Sequence, residues 1–150
     1  MKAMAMDLCN NILYRGRQEG IRITPMKLQK LMYYVCRDYV RETGQMPISE
    51  EFEVWQYGPV LPSIYGEFKS FGAKPITAYA KDASGHSYKV NEKENPVLAR
   101  VIDIVWAKYK RMSGIELSEL THQHGSAWFD AFLLGKEKIS VRDMAYDTSG

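Results

Sequence analysis

With 150 residues and 45% hydrophobic content, the chain can bury one core without staples, and a formal charge of +2 says little by itself about partners. Its two cysteines, Cys9 and Cys36, sit on apolar helical stripes, and nothing at the N-terminus reads as a signal peptide, which points to a reduced, cytoplasmic protein. No apolar run approaches the ~18 residues of a membrane span.

The distribution of charge says more. Residues 1–44 hold eight Lys/Arg against four Asp/Glu, residues 45–75 hold two against four, and the remainder balances. A cationic first third followed by a mildly acidic middle favours a protein partner at least as much as nucleic acid.

Ala5, Leu8, Cys9, Ile12 and Leu13 form a helical stripe that should stop by Glu19, next to Gly20. After a tight turn, Thr24 caps a second helix, and Pro25 suits its first position because proline has no amide to leave unpaired there. Leu28, Leu31, Met32, Val35 and Tyr39 recur at helical spacing as the inner face, and Lys27, Lys30, Arg37 and Arg41 run along a neighbouring face that reads as a cationic exterior. Gly44 supplies the left-handed stop.

Alternation over Glu51–Gln56 then predicts a short strand, ended by Gly58-Pro59 and Pro62. Ile64, Tyr65, Phe68 and Phe71 resume helical spacing up to Gly72. Between Pro75 and Val90 the chain is polar and turn-rich, and Ser84-Gly85 suggests the bend of a small hairpin or an ordered loop. Asn95-Pro96 opens a second long core helix through Leu98, Val101, Ile102, Val105, Tyr109 and Met112. Ser113 and Glu116 have the spacing of a capping box, Ser126 caps a helix through Trp128 to Gly135, and a last helical turn fits Val141–Tyr146. The expected architecture is mainly α: a compact single-domain helical bundle over 1–150 with one short strand or small β-hairpin element.

Three clusters stand out together: Thr24-Pro25-Met26-Lys27-Leu28-Gln29-Lys30-Leu31 followed by Tyr33-Tyr34, Trp55-Gln56-Tyr57-Gly58-Pro59-Val60, and Leu120-Thr121-His122 followed by Trp128. In this order they resemble the Panacea domain family, which includes SocA-like and GepA-like phage-associated proteins, from about residue 8 to 146. The resemblance implies a mostly helical antitoxin, encoded beside a toxin and neutralising it by direct protein contact. Its SocA-like branch also implies an adaptor that delivers the partner to a protease. Relatives with an added DNA-binding module are implied too, and this length leaves no room for one.

For the contact surface, the candidates are the cations Lys27, Lys30, Arg37 and Arg41, Tyr34 on the same helix, and Trp55 and Tyr57, since large aromatics beside a rigid Gly-Pro turn fill a partner's pocket at little entropic cost. Thr24, Pro25, Leu28, Leu31, Gly58, Pro59, His122 and Trp128 read as structural. Tyr33 and Tyr34 point different ways, so at least one should be buried or at an interface. His122, His124 and Glu119 fall short of a zinc set, and His122 more simply hydrogen-bonds within the core near Trp128. No nucleophile elbow, no Cys-His pair at a recognised motif spacing and no phosphate-binding glycine pattern is present, so neither an enzyme nor a cofactor is expected. The competing reading is a helix-turn-helix regulator with Met26–Val40 as recognition helix and Lys27, Gln29 and Lys30 on phosphates or base edges. The core stripe on that helix and the small net charge speak against it.

Overall fold

A computed structural model describes residues 2–150. Among them are seven α-helices and one hairpin: α1 (Ala5–Glu19), α2 (Pro25–Thr43), β1 (Glu53–Trp55), β2 (Gly58–Val60), α3 (Pro62–Phe68), α4 (Pro96–Tyr109), α5 (Gly114–Thr121), α6 (Ala127–Leu133) and α7 (Val141–Ala145). None of these helices is long and apolar enough to cross a membrane.

Helix α2 is the axis of the bundle. Thr24 Oγ1 accepts from Lys27 N (3.3 Å), Pro25 occupies the first turn, and Gly44 closes the helix at φ 75°. Helices α1, α3, α4, α5 and α7 and strand β2 all pack on it. It is consequently buried on every side from Lys27 to Arg37, and the cationic exterior expected for it does not exist. Among the four cations only Arg41 is exposed; Lys27, Lys30 and Arg37 are buried, as is Tyr34. Their tips reach polar groups of neighbouring segments, which makes the burial tolerable. Lys27 Nζ donates to Lys110 O, Lys30 Nζ to Pro59 O, and Arg37 pairs with Asp38 and Asp147. With Lys27, Gln29 and Lys30 enclosed, α2 has no groove-reading face, and the recognition-helix reading fails.

One other expectation changes, and one left open is decided. Gly58 and Pro59 do not end the strand but form the return strand of a hairpin, with Val54 opposite Pro59 and Trp55 opposite Gly58. Pro62 instead starts α3, where a missing amide costs nothing. Residues 75–90 form an ordered loop without strands, because α1 supplies the hydrogen bonds a ladder would have supplied. Asn10 accepts from Ala80 N (2.8 Å) and donates to Ala80 O (3.1 Å) and Tyr88 O (2.9 Å), while Asn11 accepts from Val90 N (2.8 Å) and donates to Val90 O (3.0 Å).

Beyond α7 the chain returns to α2. Asp147 is buried there and accepts from Ala127 N (3.0 Å), Ser149 N (2.7 Å), Ser149 Oγ (2.6 Å) and the Tyr33 hydroxyl. Tyr34 stacks on Tyr109 with centroids 4.8 Å apart, and its hydroxyl meets Ser149 Oγ at 3.1 Å. Burial pushes both the Tyr33 and Tyr34 hydroxyls up from their ordinary range.

Candidate functional site

The three sequence clusters converge on the β1–β2 hairpin, whose backbone oxygens are taken in turn by side chains of the surrounding helices. Trp128 Nε1 donates to Trp55 O (2.7 Å), His122 Nε2 faces Gln56 O (2.8 Å), Ser118 Oγ donates to Tyr57 O (2.6 Å) and Lys30 Nζ to Pro59 O (3.1 Å). Gln29 finishes the series by donating to Leu61 O (3.0 Å) and accepting from Leu61 N (2.8 Å). An isolated two-stranded hairpin is marginal in water. This one is held from outside its own ladder, so its tip is a rigid platform.

The tip residues face outward. Tyr57 is 60% exposed, Tyr65 is 47% exposed, and Trp55, half-buried between them and the bundle, meets Tyr65 edge-on at 4.9 Å. On the other side of the Trp55 carbonyl, Trp128 stacks on the exposed Phe132 with centroids 5.1 Å apart, and Leu133 and Leu134 continue the apolar surface. His122 packs against the Trp128 ring at 4.0 Å and turns its second nitrogen to Ser118 O, so both nitrogens face backbone carbonyls.

The structure thus brings Trp55, Tyr57, Gly58, Pro59, His122 and Trp128 into one place with Lys30 beneath them. It sets Arg37 and Tyr34 apart, under the C-terminal segment, with Arg41 on the neighbouring surface. Thr24 and Pro25 start α2, and Leu28 and Leu31 lie in the core. Sequence reasoning missed Ser118 and Tyr65, and it gave Gln29 a contact role only in the recognition-helix reading, not at the hairpin. The only local signal for Tyr65 was an aromatic one turn into α3; Ser118 read as an ordinary helix residue.

Lys30 gives the site a pH-dependent foundation. Its ammonium is fully buried with one carbonyl partner and no carboxylate, and that desolvation lowers its pKa from the ordinary 10.5 to about 7. Below pH 7 the folded chain carries this buried charge in full. As pH rises the folded state sheds the proton while the unfolded state keeps it, so stability rises between about 7 and 10.5. Lys27, lowered by burial as well, acts in the same direction. Burial raises the Cys9 and Cys36 thiols, which acts oppositely above their ordinary value of 9.0, leaving pH 7–9 as the clear window. Urea unfolding at the two ends of that window should show a gain of about 2 kcal/mol, and Lys30→Met should flatten it. A wild-type profile that is level or falls would contradict this account of Lys30.

A family model described as antitoxin SocA-like, Panacea domain, matches residues 28–129 of the chain. Antitoxin SocA of Caulobacter vibrioides (strain NA1000 / CB15N) is 30% identical over 127 residues, a stretch covering 83% of this chain and 68% of that protein. No solved structure matches. The matched span includes the hairpin and every side chain that holds it, from Gln29 to Trp128.

Proposed function

The chain belongs to the SocA-like Panacea antitoxin family, and from that premise we propose that it neutralises a cognate protein toxin by direct contact, through the aromatic tip of the β1–β2 hairpin. One observation carries the choice of surface: Tyr57 is exposed on a turn whose flanking carbonyls are each fixed by a side chain of the bundle. A large aromatic already held in place loses little entropy when it enters a pocket, which is the property of residues that dominate interface energies. Trp55 and Tyr65 widen the contact, and Phe132, Leu133 and Leu134 extend it along α6.

Binding alone, with no chemistry supplied by this chain, is sufficient for the role. Co-expression tests it. The gene encoded beside this one should arrest growth when expressed alone and be harmless when both are expressed, and the two proteins should purify together. A neighbour that is innocuous, or that remains toxic in the presence of this protein, would contradict the proposal.

A further inference from the structure

We propose that a second surface, sharing no residue with the hairpin, is a docking groove for an extended acidic peptide segment of a partner protein. The groove, of about 630 Å³, runs between the end of α1, the connection from Gly20 to Ile23, and the segment from Lys74 to Tyr79. Gly16 lets the walls close on one another: a Cβ there would lie 2.7 Å from Ile23 Cδ1 and 2.9 Å from Ile21 O. Ile76 N donates to Ile23 O (2.8 Å) and ties the two non-helical walls together.

Charge identifies the occupant. Arg17, Arg22 and Lys74 line the groove, no Asp or Glu does, and none of the three cations has an ion pair among the described residues. Between them lie Leu13, Ile21, Ile23, Pro75 and Ile76, an aliphatic lining that takes alternate apolar side chains of an extended strand. Among the described residues the amides of Arg22, Thr77 and Ala78 have no hydrogen-bond partner, leaving donors for a guest backbone. Single-stranded nucleic acid fits less well. It needs open aromatic faces for its bases, and the ring lining this groove, Tyr79, has the Arg17 guanidinium over it, 5.6 Å from its centroid.

The test is an amide-detected NMR titration of the full chain with a capped nine-residue peptide of alternating valine and glutamate. Its glutamine counterpart and a nine-nucleotide oligothymidylate serve as comparisons. The glutamate peptide should shift the Arg22, Thr77 and Ala78 amides saturably. The glutamine peptide should bind about tenfold more weakly, and so should the glutamate peptide to the double variant Arg22→Glu, Lys74→Glu, whose melting temperature should be unchanged because both residues are exposed. Absence of saturable shifts at these amides, equal binding of the two peptides, or tighter binding of the oligothymidylate would each overturn the proposal.

Discussion

Asp147→Ala is expected to cost about 3–5 kcal/mol of stability, the range for removing one partner from a buried, hydrogen-bonded charge network. The carboxylate is enclosed and answers donors from three parts of the chain: Tyr33 and Arg37 on α2, the first amide of α6, and Ser149 beyond it. Alanine leaves the Tyr33 hydroxyl and the Ala127 amide buried without an acceptor, and Arg37 keeps Asp38, Ser149 O and the face of the Tyr34 ring but loses one of its two carboxylates. It also removes a negative charge from the positive end of α6, the helix that carries Trp128. In a chain of this size the melting temperature should fall by roughly 10 °C. Urea unfolding checks the free energy directly, and a loss below about 1 kcal/mol would mean that the segment after α7 is not seated on α2.

Gly58→Ala should cost about 3 kcal/mol, from two sources that add. The residue sits at φ 115°, where an L side chain is strained. Its Cβ would also lie 2.6 Å from Thr121 Oγ1 and 3.0 Å from Lys30 Cε, in a place where Lys30 is locked by its bond to Pro59 O. Relief requires moving either α5 or the buried lysine, and both support the hairpin. The variant should therefore weaken toxin binding as well as stability, whereas Gly72→Ala, with open space around its Cβ, isolates the cost of positive φ alone. Equal losses in the two variants would contradict the close packing assigned to Gly58.

The helix boundaries were legible because their signals are local. Ser113 and Glu116 form both halves of a capping box, Ser126 Oγ accepts from Phe129 N (3.0 Å), and Asn95 Oδ1 accepts from Leu98 N (3.2 Å), each within three residues of its partner. Position within the bundle was not legible. The same periodicity that marks an inner stripe on α2 marks Lys27, Lys30 and Arg37 as an outer one, and only the arrival of α4, β2 and the C-terminal segment reverses that. Apart from Asp38 beside Arg37, their partners lie far off in sequence, from Pro59 to Ser149, and no spacing rule links a lysine to a carbonyl it meets by tertiary packing. For 75–90 the sequence left a hairpin and an ordered loop open, and only tertiary contacts select the loop. Asn10 and Asn11, on α1, are the hydrogen-bonding edge on which that loop is ordered. At the hairpin, Trp55 and Tyr57 were legible as aromatics beside a Gly-Pro turn, while the set of side chains that stiffens the turn required the structure.

The most direct measurement is the affinity of the purified cognate toxin for this protein and for its Tyr57→Ala variant, by calorimetry, with thermal unfolding of both. Tyr57 is exposed through its ring and contributes only its backbone oxygen to the bundle. The variant should keep the wild-type melting temperature and bind about 30-fold more weakly, the loss of about 2 kcal/mol expected of a central interface aromatic. Unchanged affinity at unchanged stability would contradict the hairpin tip as the surface that occludes the toxin.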